Sequence, residues 1–234
     1  MAKQSGRPRP IPTRKRRPVA EPATTPAPAR KESSRVARRR DRRKAEIVRT
    51  ATELLSEHGY QGMNLEDVAE QTDIAKATLY HYFSGKDELV AAVLEALTVD
   101  VNTRLEAALE LVRDQSFLEQ IRTLIREQVR ILTDTAPEVA TVFSWPKAWP
   151  DAFDEIIKDS RRRHDAIFRR VVEAGLAAGE FDCPDADVAL HCLHGVLNQS
   201  SLWIRPSFPA EKKEELREAV VETASRMLSL KQAA

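Results

Sequence analysis

Apolar side chains in this chain recur at helical spacing almost from end to end of its central part, and nowhere do they alternate as strands require. Ile47, Val48, Ala51, Leu54 and Leu55 fall at i, i+1, i+4, i+7 and i+8, one face of an amphipathic helix. Val90, Val93, Leu97, Val101, Ala108 and Val112 mark a second, long helix, and further helices are expected near 117–133, 137–143, 151–178, 187–204 and 211–230. Pro137, Pro146, Pro150, Pro184, Pro206 and Pro209 punctuate them. With only 7 Gly in 234 residues and abundant Ala, Leu, Glu and Arg, the expected fold class is all-α. No apolar stretch reaches the ~20 residues of a membrane-spanning helix, and the N-terminus has no apolar signal-peptide core. The expected location is therefore the cytoplasm. Cys183 and Cys192 are too few for a disulfide framework and are expected as free thiols.

The net charge of +1 conceals a strong asymmetry. Residues 1–44 hold 16 Lys and Arg against 3 Asp and Glu, a balance of +13, and the rest of the chain carries −12. A basic arm on an acidic body points to a polyanion, because each phosphate that a cation neutralises releases counterions. The arm holds seven of the thirteen prolines in its first 34 residues, and residues 1–37 are expected to be disordered. Within it, Gly6-Arg7-Pro8-Arg9-Pro10 resembles the core of an AT-hook, which lies in an A·T-rich minor groove, although Ser5 stands where a basic residue is usual. Arg38, Arg39, Arg40, Arg42 and Arg43 lie beside the first helix and are placed to track phosphates.

After Gly59 closes the first helix, Asn64 caps a short second one carrying Leu65, Val68 and Ala69. A polar turn at 71–74 leads to a third, in which Leu79, Tyr82 and Phe83 face inward while Lys76, Thr78 and His81 face outward. Two short helices across a small turn form a helix-turn-helix. The residues Gly59-Tyr60-Gln61-Gly62-Met63-Asn64-Leu65-Glu66-Asp67-Val68-Ala69, continued by Ile74-Ala75-Lys76-Ala77-Thr78-Leu79-Tyr80-His81-Tyr82-Phe83-Ser84-Gly85-Lys86-Asp87-Glu88-Leu89, resemble the TetR family signature over 42–90. Asp73 stands where the family usually has Gly, and Ala75 where it usually has a Ser or Thr cap.

The resemblance implies a three-helix DNA-binding head at 38–87 and a helical effector-binding and dimerisation body at 88–234. It also implies a homodimer on double-stranded operator DNA, released by a small-molecule effector. Lys76, Ala77, Thr78 and His81 are the candidates for base edges. Tyr80 suits a phosphate at the groove rim, and Tyr82 suits either phosphate or core. Lys86 joins a cation to the N–H groups of a helix start, and Asn64 can both cap its helix and touch the backbone.

In the body, Leu216, Val220, Thr223 and Met227 step by 4, 3 and 4, a stripe expected to meet a second subunit. Phe143, Trp145, Trp149, Phe153, Phe168 and Trp203 are the bulky groups available for a pocket or for the core. The segments 195–198 and 203–206 look similar to TetR-like regulators of fatty-acid and steroid catabolism, which implies a hydrophobic or acyl-CoA-like effector. His191-Cys192-x-His194 opens a metal-responsive alternative, without a carboxylate at clear ligand spacing. An effector-free architectural DNA binder is a further alternative. No catalytic motif is present; neither enzyme activity, nor a cofactor, nor a metal is expected.

Overall fold

The computed structural model describes residues 29–144 and 149–228, and among these every regular element is helical. α1 (Ala29–Gly62) is broken at Gly59, whose φ of 66° and ψ of 179° no helix can hold. α2 (Leu65–Gln71), α3 (Lys76–Tyr80) and α4 (Lys86–Glu110) follow. α5 (Phe117–Arg130) ends in a π-helical turn (Ile131–Thr135), followed by α6 (Glu138–Ser144). A short 3₁₀ turn (Asp151–Phe153) opens α7 (Asp154–Ala177), and α8 (Ala186–Trp203) and α9 (Ala210–Arg226) complete the chain.

Helix ends follow their capping chemistry. Asn64 Oδ1 accepts from the Asp67 backbone N–H at 2.8 Å, and Asp185 Oδ1 from that of Val188 at 2.9 Å, each satisfying an otherwise orphaned donor. Ala75 leaves α3 without a side-chain cap, a deficit of about 1 kcal/mol. Asp73 takes the left-handed conformation at φ 50°, which short polar side chains tolerate better than most.

The first helix begins nine residues before its expected start at 38: once Pro28 is passed, Ala, Arg, Lys and Glu dominate without Pro or Gly, all strong helix formers. Residues 29–37, expected as disordered arm, are thus helical. The AT-hook candidates Arg7 and Arg9 lie outside the described residues.

α5 is the axis of the body. Its Ile121, Leu124, Ile125 and Val129 are fully buried among α4, α7, α8 and α9. Between α4 and α5 Ser116 caps the new helix, accepting from the Glu119 N–H at 3.2 Å. Gly175 of α7 is placed for close approach: a Cβ there would lie 2.3 Å from the Phe181 ring. None of the described helices is long and apolar enough to cross a membrane.

Candidate DNA interface and effector cavity

The head is held from within by Ile47, Ala51, Leu54, Leu55, Met63, Val68, Leu79 and Phe83, all buried. That packing fixes what α3 presents outward. Lys76, Ala77, Tyr80 and His81 are exposed and Thr78 is half-buried, so all five reach the outer face of the head. Tyr82 is half-buried and packs on the core. Both ends of the Asn64 amide are occupied by Asp67, with Nδ2 donating to Oδ2 at 2.7 Å.

Two contacts in the head escaped sequence reasoning. Lys76 is paired with Glu66 of α2; the bond holds the Glu66 carboxyl below its ordinary range and raises Lys76. Arg43 Nη1 reaches Glu46 at 2.9 Å and the Thr72 carbonyl at 3.3 Å, bracing α1 against the turn after α2. Arg39, Arg40 and Arg42 are exposed along α1, as is Arg38.

A compact joint lies where α1, α4 and α7 begin or end. The Tyr60 ring carries the Lys86 ammonium 4.4 Å from its centroid, while Phe153 and Trp149 stack at 5.5 and 6.3 Å on tilted or edge geometry, a favoured arrangement for ring quadrupoles. Trp149 Nε1 donates to the Val142 carbonyl of α6 at 3.1 Å.

A cavity of about 490 Å³ opens between α4, α5, α6, α7 and α8, within the size range of ligand pockets. Its inner wall combines apolar Val101, Leu132 and Val139 with Thr98, Gln128 and Ser160, all buried. Its rim carries exposed Arg161, Arg162, His191 and Asn198. His164 Nε2 lies 2.9 Å from Gln128 Oε1, and the His164 and His194 rings are 5.1 Å apart. Burial pushes His164 down to about 3, helped by the neighbouring His194; burial lowers His194 as well, against the opposing pull of Asp165. His194 Nε2 lies 3.3 Å from Asp165 Oδ1, close enough for an ion pair but without the alignment of a hydrogen bond. Both imidazoles are therefore neutral at pH 7.

Of the bulky groups read from the sequence, Phe143 lines this cavity. Trp149 and Phe153 do not: both rings pack on Tyr60 instead. Phe168 is fully buried one layer behind, edge-on to His194 at 4.9 Å. Trp203 is 42% exposed and off the cavity wall; Trp145 lies outside the described residues. Asn102, Gln128, His164 and His194 replace them, polar groups on four helices whose convergence no local pattern announces.

The α9 stripe also divides. Val220 is 4% exposed within the single chain, with Val221, Ala224 and Leu228 beside it, because α9 packs on α5. Arg122 to Glu222 at 2.7 Å and a bidentate Arg126 to Glu218 flank that seam. Val220 is core, not subunit interface. Thr223 is exposed and Leu216 and Met227 are half-buried. On α8, Val188, Cys192, Gly195, Gln199 and Leu202 form an exposed stripe, with Val188 at 60% and Leu202 at 68%. Cys183 and Cys192 are both free. His191 Nδ1 is 2.6 Å from the Asp187 carbonyl, and no group of three or more His, Cys, Asp or Glu suited to a metal ion occurs among the described residues.

Comparison with known proteins agrees with this architecture. The profile of bacterial regulatory proteins of the tetR family matches residues 47–93, and that of the tetracyclin repressor-like C-terminal domain matches 114–228. The HTH-type transcriptional activator FasR of Mycolicibacterium smegmatis is 33% identical over 162 residues, covering 61% of this chain and 71% of FasR. The HTH-type transcriptional repressor KstR2 of Mycobacterium tuberculosis is 25% identical over 187 residues, covering 75% and 88%. Among solved structures, Bacillus subtilis FadR in complex with stearoyl-CoA superposes with a TM-score of 0.67 at 18% identity, over 79% of this chain and 98% of that one. Two family profiles and a relative above 30% identity establish that the chain belongs to the tetR family of bacterial transcriptional regulators.

Proposed function

We propose that the protein acts in the cytoplasm as a homodimeric repressor, released from its operator by a small hydrophobic or acyl-CoA-like effector. The observation that carries this reading is that α4 serves both sites: Lys86 at its start belongs to the DNA-facing head, and Thr98, Val101 and Asn102 farther along it line the cavity. A ligand that prefers one position of α4 shifts the spacing of two heads on successive major grooves, and by reciprocity DNA opposes the ligand. FadR, of the same fold, is seen with stearoyl-CoA, which supports the effector class.

Dimerisation is assigned to the exposed α8 stripe together with Leu216, Thr223 and Met227 of α9, an apolar surface that pairs with its own copy in a four-helix arrangement. In the head, Lys76, Ala77, Thr78 and His81 read bases; Tyr80 and Lys86 hold phosphates, while Asn64 caps α2. The basic segment from Arg38 to Arg42 adds sequence-independent affinity.

The test uses an operator selected from random DNA by the full-length protein, followed by fluorescence anisotropy with added acyl-CoA thioesters. Release of the operator is the expected outcome; DNA affinity unchanged by every thioester refutes the effector assignment. Release by Zn²⁺ alone transfers the role to His191 and His194. FasR is named an activator, which favours a second reading in which the bound protein recruits polymerase. In vitro transcription separates the two, since a repressor lowers transcript yield and an activator raises it.

A further inference from the structure

An acid meets the outward face of α3, which itself contains none. Glu66, in the first turn of α2, is exposed and reaches across the turn at 72–75 to the ammonium of Lys76, the first residue of α3. Its neighbour Asp67 is taken up by the Asn64 amide. The Lys76 bond is made to Glu66 Oε1, and no other side chain meets that carboxylate among the described residues, so Oε2 stays open.

Such a pair contributes little to folding. Its side chains are 59% and 48% exposed, and exposed pairs stabilise a protein weakly. Beside a DNA-reading cation, a carboxylate also opposes the phosphate attraction that any sequence offers. An acid gains at DNA where it meets a base-edge donor, and the major groove offers Glu the N4–H₂ of cytosine. Lys suits the O6 and N7 acceptors of guanine. After giving one N–H to Glu66, the Lys76 ammonium keeps two donors. Donors and acceptor joined in this way match a G·C pair, whose groove edge presents the guanine acceptors beside the cytosine amino group.

We infer that Glu66 and Lys76 act as one reading unit that selects a G·C pair in the operator, Lys76 donating to guanine and Glu66 accepting from cytosine. This rests on the placement of α3 in the major groove proposed above and adds a residue of α2 to the specificity surface. Held by Glu66, the ammonium is not free to swing to a phosphate. General affinity is thereby exchanged for a preference among bases.

The experiment selects binding sites from random DNA with the full-length wild type and with Glu66→Ala, Lys76→Met, Thr78→Ala and His81→Ala, each checked for helix content. Affinities are then measured for the selected operator carrying single base-pair changes. In the wild type, replacing one G·C pair by A·T should cost about tenfold in affinity. In Glu66→Ala and in Lys76→Met the loss at that same pair should fall to about twofold or less. Glu66→Ala should also bind random DNA more tightly at low salt, by about twofold or more. The charge-swapped double variant, Glu66→Lys with Lys76→Glu, keeps an ion pair but exchanges donor and acceptor, so it should not restore the wild-type preference. Preferences altered at different pairs by the two single variants, an A·T pair at the shared position, or random-DNA binding by Glu66→Ala that is no tighter each overturns the proposal. A charge swap that restores the wild-type motif overturns it too, leaving the pair as a brace between α2 and α3. Altered preferences in Thr78→Ala and His81→Ala but not in Glu66→Ala or Lys76→Met remove the reading unit and keep the reading face; unchanged preferences in all four remove both.

Discussion

Tyr60 donates its hydroxyl hydrogen to Asp87 Oδ1 at 2.5 Å, tying the end of α1 to the first turn of α4. The neighbouring carboxylate also pushes the phenol above its usual value of 10.0, because ionisation would break the bond and place two negative charges together. On the other side of the ring sit Trp149 and Phe153, and the Trp149 indole holds α6, whose Phe143 faces the cavity. Head and cavity wall therefore meet at one side chain.

Tyr60→Phe keeps the ring and removes the bond. It should lower stability by about 1 kcal/mol, read from urea midpoints. Asp87→Asn should do the same in part, and the two together should cost less than their sum, because only one bond is lost. Additive losses would show that the bond contributes nothing.

The proposed DNA contacts divide into reading and positioning groups. Thr78→Ala and His81→Ala should change which bases are preferred, while Lys86→Ala and Tyr80→Phe should weaken all sequences alike. Competition between operator and random DNA, with each variant, checks this. A uniform loss for all four would move the reading face off α3.

Leu202→Glu, at an exposed position of α8, should leave the helix content intact and give monomers in light scattering, since a dimer would bury the new charge unpaired. Val220→Glu should instead unfold the chain, because that side chain is core within the single chain. Dimers of folded Leu202→Glu would shift the interface elsewhere.

His164 sets an acid limit. Its pKa is 6.5 when unfolded and about 3 when folded, so between these values the unfolded state binds more protons and stability falls as pH falls. The contribution is complete above pH 6.5 and is lost on descent toward pH 3, with a slope of up to ~1.4 kcal/mol per pH unit. His164→Gln should flatten that part of the profile of melting temperature against pH.

The head was legible because its information is local. Leu65, Val68, Leu79 and Phe83 lie close in sequence and belong to one core, so spacing alone aligned the outward face of α3. α9 shows the limit: periodicity says that Leu216, Val220, Thr223 and Met227 lie on one side, but not which neighbour meets each of them. α5, with its fully buried Ile121 and Leu124, claims Val220. The cavity was the least legible part. Size suggested Trp149 and Phe153, but both rings pack on Tyr60, and the wall is made of Asn102, Gln128, His164 and His194, whose proximity comes entirely from tertiary packing. The helical start at Ala29 was obscured because nearby prolines and charge signal disorder more strongly than nine residues of helix formers signal order.

Because Val220, Val221, Ala224 and Leu228 are enclosed by α5 and its neighbours within one chain, parting two subunits would bare no core. In the proposed dimer, subunits would then trade partners as folded bodies, without passing through an unfolded state. A copy with an intact body and a crippled head would mix freely into dimers with normal copies and disable each one it enters, so a single defective allele could silence a cell's whole supply.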